Sequence, residues 1–176
     1  MQPLRCCSPQ PARLIMIRFL LIMVLVAVSD QLTKLWVVQQ FTLHETLPVI
    51  PGFFNLTLLY NSGAAFGILS GLPMLWRQIF FISISAAALT ALVIMQYKLG
   101  PRHFLYAVSF GLISGGALGN MIDRLRWGAV VDFLDFYLGK YHWPAFNVAD
   151  SGITVGIALF LLLQFWEERR AAKQDG

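Results

Sequence analysis

Two aspartates in the C-terminal third of the sequence interrupt strongly apolar segments. Asp132 lies within the run Val-Val-Asp-Phe at 130–133, and Asp150 lies within Phe-Asn-Val-Ala-Asp-Ser at 146–151. A carboxylate in such a stretch is costly enough to be a candidate for a functional site. Two carboxylates that meet cannot both ionise cheaply, so one keeps a proton while the other acts as a base. Such a pair can activate water against a peptide carbonyl without a metal or any other cofactor.

Other roles for these carboxylates remain open at the level of spacing. Asp150 precedes an apolar run and could simply cap a helix, an effect worth about 1 kcal/mol. Asp132 and Asp135 are three residues apart and could form a solvated face. Ion pairing and a proton pathway are further alternatives. A Ser-His-Asp arrangement is not indicated, because the histidines are scattered along the chain at His44, His103 and His142.

The composition places these residues in a membrane protein. Hydrophobic residues make up 57% of the 176-residue chain and charged residues only 12%, whereas a soluble domain carries about 25% charged residues. A membrane-spanning helix needs about 20 apolar residues. Four segments meet this requirement and predict an α-helical integral membrane protein with four transmembrane helices: about Ile15 to Val38, Met74 to Gln96, Phe104 to Ile122 and Phe146 to Trp166.

The first span has an alternative interpretation as a signal peptide. Leu14 to Val28 is apolar apart from Arg18, and a cleavage site could follow near Ser29. However, the apolar pattern continues to Val38, and Asp30 and Lys34 are one helical turn apart, where opposite charges can neutralise each other. We therefore predict one helix that contains a structural ion pair between Asp30 and Lys34.

The distribution of basic residues predicts the orientation. Lysines and arginines cluster before the first span, between the second and third, and after the fourth, which places both termini in the cytoplasm. The exported loops are then about 41–73 and 124–145. The second loop carries Arg124, for which we expect an ion pair with Asp123 or a nearby carboxylate. The net charge of +4 is typical of membrane proteins with basic cytoplasmic segments and does not indicate nucleic-acid binding.

The loops and the ends of the chain complete the predicted organisation. Phe41 to Leu69 mixes β-branched and aromatic residues with proline and glycine, which predicts a small extracytoplasmic β element. In the third span, glycines recur every fourth residue, so a neighbouring helix can approach closely; they are Gly111, Gly115 and Gly119. We divide the chain into an N-terminal leader at 1–15 that is not necessarily native, a single membrane domain at 16–166, and a cytoplasmic tail at 167–176.

Five motifs, in order along the chain, resemble those of lipoprotein signal peptidase, also called signal peptidase II. They are Asp-Gln-Leu-Thr-Lys at 30–34, Asn-Ser-Gly-Ala-Ala-Phe-Gly at 61–67, Gly-Gly-Ala-Leu-Gly-Asn-Met-Ile-Asp-Arg at 115–124, Val-Val-Asp-Phe at 130–133 and Phe-Asn-Val-Ala-Asp-Ser at 146–151. The resemblance extends from Met16 to about Trp166, with mild departures at Val148 and Gly152.

This resemblance implies a bacterial inner-membrane aspartyl peptidase with a periplasmic β-cradle and its active site near the periplasmic face. Such an enzyme removes the signal peptide of prolipoproteins just before a cysteine that carries diacylglycerol. Asp132 and Asp150 match the catalytic pair of the family. Five further residues match positions around that site, as substrate-binding or supporting residues: Asn61, Gly63, Asn120, Arg124 and Asn147.

The resemblance also bears on ligands and partners. It implies lipidated prolipoproteins and membrane lipids as partners, and inhibition by a cyclic lipopeptide of the globomycin type. We expect a monomer that requires no metal and no other cofactor.

Overall fold

The computed structural model describes residues 12–63, 73–101 and 103–173. Residues 1–11 of the predicted leader lie outside these ranges, and so does Gly67 of the second motif. The described chain contains four helices long and apolar enough to cross a membrane, as the sequence predicts, and it is an integral membrane protein. The helices are α1 (Ala12–Gln40), α2 (Met74–Leu99), α3 (Phe104–Trp127) and α4 (Val148–Ala172). Helix α4 continues into the segment predicted to be a tail.

Helix α3 is the central element of the bundle and packs against α1, α2 and α4. Its glycines allow the close approach that their spacing predicts. A Cβ atom at Gly111 would lie 2.9 Å from Ile22 Cβ, and one at Gly115 would lie 2.6 Å from the Met23 carbonyl oxygen. At the end of the bundle where α1 begins, the buried aromatic rings of Phe19, Tyr106 and Phe110 form a core.

A four-stranded antiparallel sheet lies at the other end of the bundle, where α1 and α3 end. Its strands are β1 (Thr46–Ile50), β2 (Phe54–Asn61), β3 (Val130–Leu138) and β4 (Tyr141–His142), in the order β1-β2-β3-β4. Strands β1 and β2 fall in the first predicted loop. Strands β3 and β4 fall in the second, where we predicted no strand. That loop also begins later than predicted, because α3 continues to Trp127.

The position of β3 is fixed by packing on the end of α1. Val131 and Phe133 are buried and form one core with Val37 of α1 and Leu58 of β2. Burying a side chain of this size stabilises the fold by roughly 1.5–3 kcal/mol. Because successive side chains of a strand point to opposite faces, Asp132 lies on the other face of β3, away from this core.

The segment before α4 continues the sheet and sets where the helix begins. The Phe146 amide donates to the Leu134 carbonyl oxygen at 3.1 Å, and the Leu134 amide donates back to the Phe146 carbonyl oxygen at 2.8 Å. Asn147 is extended, with φ −138°, and caps the helix. Helix α4 therefore begins at Val148 rather than at Phe146, and its first turn lies beside β3.

Candidate active site

Asp132 projects from β3 into a setting that is almost closed to solvent. Its side chain accepts a hydrogen bond on each oxygen, from Asn147 Nδ2 to Oδ1 at 2.8 Å and from Asn61 Nδ2 to Oδ2 at 3.0 Å. Only 4% of the residue is exposed. Asp135, three residues further on, is also buried but bonds Asn55 and His142 instead. The solvated face proposed for Asp132 and Asp135 is therefore wrong, because β3 buries both residues.

Asp150 lies in the first turn of α4 and is half-buried. Its backbone amide donates to Asn147 Oδ1 at 2.9 Å, and its Oδ2 accepts the Asn147 backbone amide at 3.3 Å, so the two residues form a capping box. The capping role considered from the sequence is therefore present. Capping uses only Oδ2 of the carboxylate. The other oxygen, Oδ1, accepts a hydrogen bond from Asn120 Nδ2 at 2.8 Å.

Three asparagines from different elements hold the two carboxylates in place. Asn61 ends β2, Asn120 lies in the last third of α3, and Asn147 precedes α4. The β2–β3 register pairs Asn61 with Val130 and Leu59 with Asp132, which brings the Asn61 amide next to the Asp132 carboxylate. Asn147 is fully buried and contacts both aspartates. The structure thus brings together all three predicted asparagines and both aspartates.

The electrostatics of the site distinguish the two carboxylates. Burial, followed by the nearby charge of Asp150, raises the pKa of Asp132 to about 7. The hydrogen bonds from Asn61 and Asn147 act in the opposite direction, since they stabilise the ionised form, but they do not outweigh burial. Around neutral pH Asp132 can therefore hold a proton beside the Asp150 carboxyl group.

Gly63 and Arg124 also line the site. The contacts of Arg124 differ from our expectation. The guanidinium lies over the Phe81 ring, 4.5 Å from its centroid, and donates to the Asn120 carbonyl oxygen at 3.3 Å. Among the described residues, Asp123 pairs with Lys34 at 2.8 Å and not with Arg124. The ion pair predicted for Arg124 is therefore absent from the described part of the chain, and its charge acts on the pocket from a distance.

A buried polar cluster lies directly behind the aspartates. Lys34 Nζ is 2.8 Å from Asp30 Oδ2, so the predicted pair is in contact, and it is equally close to Asp123 Oδ2. Its third partner is Asn120 Oδ1 at 3.0 Å. Gln31 also donates to Asp123, at 2.8 Å. The sequence did not indicate that Asp123 and Gln31 belong here.

A pocket of about 920 Å³ opens in front of the two aspartates. Both carboxylates line it, as do Asn61, Asn120 and Arg124. Sequence reasoning missed the apolar part of the wall, which two segments beside the aspartates supply: Trp143, Pro144, Ala145 and Phe146 before α4, and Thr154 and Val155 within it. The sequence did contain one signal for this wall, the aromatic residue Trp143 next to a span, because aromatic residues favour the membrane interface.

The arrangement of two carboxyl groups at a largely apolar pocket suits a hydrolytic site. An apolar pocket with a few convergent polar groups is typical of a substrate site. Within residues 12–63, 73–101 and 103–173, no three His, Cys, Asp or Glu side chains converge as metal ligands would. The chemistry that the described side chains offer is that of two carboxyl groups at one pocket, one of which can stay protonated near neutral pH.

Fold and site together define a class: a membrane-embedded hydrolase with paired aspartates at one end of a four-helix bundle. The sequence profile of the family described as Signal peptidase (SPase) II matches residues 22–166. The chain belongs to the signal peptidase II family and is a membrane peptidase.

Relatives and solved structures agree with this assignment. The chain is 44% identical over 155 residues to a lipoprotein signal peptidase of Syntrophus aciditrophicus (strain SB), covering 88% of this chain and 96% of that protein. It is 49% identical over 146 residues to a lipoprotein signal peptidase of Syntrophotalea carbinolica, covering 83% and 89%. A solved structure described as a bacterial membrane enzyme superposes with a TM-score of 0.77 at 38% identity, covering 85% of this chain and 88% of its own.

Proposed function

We propose that this peptidase removes the signal peptide of prolipoproteins by cutting just before a diacylglyceryl-modified cysteine, with Asp132 and Asp150 as its catalytic pair. The observation that carries the proposal is the convergence of both carboxylates, from β3 and α4, on one largely apolar pocket. The relatives named above are lipoprotein signal peptidases. A prolipoprotein is the substrate that their name implies.

The raised pKa of Asp132 supports a division of labour. Asp150, ionised, takes a proton from water while the water oxygen bonds to the scissile carbonyl carbon, and Asp132 donates its proton to the carbonyl oxygen. As the carbonyl re-forms, its hydroxyl proton returns to Asp132 and the carbon–nitrogen bond breaks. The proton held by Asp150 passes to the leaving amine. One water is consumed, and both aspartates end in their starting states.

The wall of the pocket suits a lipidated substrate. Thr154 and Val155 continue the pocket along α4 from Asp150, and both side chains are exposed, so this wall would face the lipid. Two acyl chains already confine the substrate to the bilayer, so the enzyme need only place the scissile bond against the aspartates. Asn61, Gly63 and Arg124 line the pocket near Asp132 and would contact the peptide.

The placement of charge supports a periplasmic active site in the bacterial inner membrane. The bundle end opposite the pocket carries Lys98 near the end of α2 and Arg169 and Arg170 near the end of α4. Basic residues favour the cytoplasmic side, so both termini would lie in the cytoplasm. We further propose that the enzyme works as a monomer among membrane lipids and that a globomycin-type cyclic lipopeptide occupies the same pocket.

Cleavage in detergent tests the proposed substrate. We expect the purified enzyme to cut a prolipoprotein peptide with a diacylglyceryl cysteine and to release a product whose N-terminus is that cysteine, as read by mass spectrometry. The same peptide without the lipid is the matched control, and we expect it to be cut at least ~100-fold more slowly, because the acyl chains position the bond. Equal cleavage of both peptides, or cleavage at another bond, would refute the proposed specificity.

The pH dependence tests the assignment of acid and base. Asp132 must carry its proton, and it loses that proton as pH rises through its pKa of about 7. We therefore expect kcat/KM to fall above about pH 7, measured between about pH 5 and about pH 9. His44 also lines the pocket. The control variant is His44→Asn, because asparagine tolerates the backbone φ of 67° at this position. It should show the same fall of kcat/KM on the basic limb of the pH profile. If kcat/KM instead rises through neutral pH to a plateau, Asp132 would be the base and Asp150 the acid.

A further inference from the structure

The ammonium group of Lys34 uses all of its donors on three partners that lead to the two aspartates. Its Nζ is 2.8 Å from Asp30 Oδ2, 2.8 Å from Asp123 Oδ2 and 3.0 Å from Asn120 Oδ1. Lysine has three N–H donors and no acceptor, so the group is fully satisfied. Lys34 is only 3% exposed, Asp30 is fully buried and Asp123 is 1% exposed. Water therefore cannot replace any of these partners easily.

Each partner of Lys34 continues to the main chain or side chain of a catalytic element. Asp30 Oδ1 accepts the backbone amide of Ala149, the residue before Asp150, at 2.9 Å. Asp123 Oδ2 accepts the backbone amide of Val131, the residue before Asp132, at 3.1 Å.

The third partner reaches Asp150 itself. Asn120 accepts from Lys34 through Oδ1, which directs its Nδ2 toward Asp150 Oδ1 at 2.8 Å. An asparagine amide can present either its oxygen or its nitrogen to a given neighbour. With Lys34 on one side and a carboxylate on the other, only the observed orientation satisfies both.

We propose that Lys34 is a positioning residue for peptide cleavage, which sets the separation and orientation of Asp132 and Asp150 by joining Asp30, Asp123 and Asn120. The inference rests on the catalytic role proposed for the two aspartates. Asp30, on the same helix as Lys34, binds the start of α4, and Lys34 holds its carboxylate in place. Through Asp123, Lys34 also links α1 to α3 and to the start of β3. Its role thus goes beyond the structural ion pair with Asp30 that the sequence predicts.

The charge of Lys34 gives the proposal a second, measurable consequence. Lys34 lies near enough to Asp132 for its positive charge to lower the pKa of that carboxyl group, against the larger effects of burial and of Asp150. The other charged or titratable groups around the pair are Asp30 and Asp123 behind it, and Arg124 and His44 in the pocket wall. Loss of the lysine charge should therefore move the basic limb of the pH profile to higher pH.

The test is Lys34→Met, which keeps the length and apolar stem of the side chain but removes its donors and charge. For the folded enzyme we expect kcat to fall about 100-fold, as for a small misplacement of reacting groups, with KM for the lipidated peptide changed less than about threefold. The basic limb of kcat/KM should move upward by about half a pH unit or more. Folded protein is counted by size-exclusion chromatography and thermal unfolding.

Two matched variants separate positioning from simple loss of stability. Gln31→Met removes the donor that Asp123, Asp30 and the Gly119 carbonyl oxygen share, but it leaves Lys34 and Asn120 in place. Phe19→Ala weakens the core at the far end of the bundle. Both should lower the thermal midpoint while kcat per folded molecule stays within about threefold of the parent. If Lys34→Met behaves in the same way, with an unmoved pH limb, Lys34 only stabilises the fold and the proposal is wrong.

A charge-matched variant covers the case in which Lys34→Met does not fold. Lys34→Met/Asp123→Asn removes one positive and one negative charge, and asparagine can still accept the Val131 amide that Asp123 bonds. We expect kcat to remain low, because Asn120 keeps only the weaker donor Asn147 Nδ2 at 3.3 Å, while the pH limb stays close to that of the parent. Normal kcat in this variant would overturn the proposal.

If Asp132→Asn or Asp150→Asn were active, the catalytic assignment itself would fail, whereas inactive aspartate variants with a fully active Lys34→Met would reject only the role of Lys34.

Discussion

Replacement of either Asp132 or Asp150 by asparagine is expected to lower kcat/KM for the lipidated peptide by roughly a thousandfold or more, since these groups act as a unit in the transition state. Asparagine is nearly isosteric with aspartate, so the fold should persist in both variants. In the proposed mechanism, the change at Asp132 removes the proton donor, and the change at Asp150 removes the carboxylate that accepts a proton from water. Cleavage of a fluorogenic lipidated peptide in detergent measures the loss.

Asp135 provides the matched control for this prediction. It lies on the same strand as Asp132, is 8% exposed and bonds two side chains, but it does not line the pocket. Asp135→Asn should keep kcat/KM within about threefold, because it changes a buried carboxylate of β3 without touching the reacting groups. Turnover of a few per cent or more in either Asp132→Asn or Asp150→Asn would remove the two-aspartate mechanism.

The helices were predictable because hydropathy depends on local composition alone. A run of about 20 apolar residues must span or be buried, whatever its neighbours are. The predicted ends were less accurate, because polar residues can extend a helix beyond the hydrocarbon region. Arg124 and Arg126 show this: they read as a loop in the sequence, yet they form the last turns of α3.

Strand β3 was missed although its composition contained the signal. Val130 to Leu138 is rich in valine, phenylalanine, tyrosine and leucine, as strands are. The two aspartates within it suggested a polar surface segment. In the sheet they are tolerated because asparagines pair with both, Asn61 with Asp132 and Asn55 with Asp135. Those partners come from β2, more than 70 residues earlier in the chain, as the separations of 71 and 80 residues show.

The residues that surround the aspartates were identified by resemblance rather than by physical reasoning. Nothing in the local sequence distinguishes Asn120 from a polar residue that simply faces a loop. Its neighbours come from two other segments of the chain, Lys34 from α1 and Asn147 and Asp150 from the start of α4. The same holds for Asp123, which adjoins Arg124 in sequence but pairs with Lys34 across the α1–α3 contact. Which side chains meet across two helices depends on how each helix is rotated about its own axis. The sequence pattern does not define that rotation to within one side chain.

Asn147→Ala is expected to cause the second-largest loss, because this one side chain serves both aspartates. Its Nδ2 donates to Asp132 at 2.8 Å, and its Oδ1 accepts the Asp150 amide at 2.9 Å. Alanine removes the cap of α4, which costs about 1 kcal/mol of stability, and frees the Asp132 carboxylate to rotate. We expect kcat to fall about 100-fold, measured with the lipidated peptide beside a thermal unfolding curve.

Asn147→Ser separates the two functions of this residue. Serine is a good N-cap and its hydroxyl can accept the Asp150 amide, but it is too short to replace the donor that asparagine extends to Asp132. Stability should therefore return to near that of the parent while kcat remains low. The hydrogen bond from Asn147 also lowers the pKa of Asp132, so both variants should shift the basic limb of kcat/KM to higher pH. If serine restored activity together with stability, Asn147 would act only as a helix cap, and the alignment of Asp132 would depend on Asn61 alone.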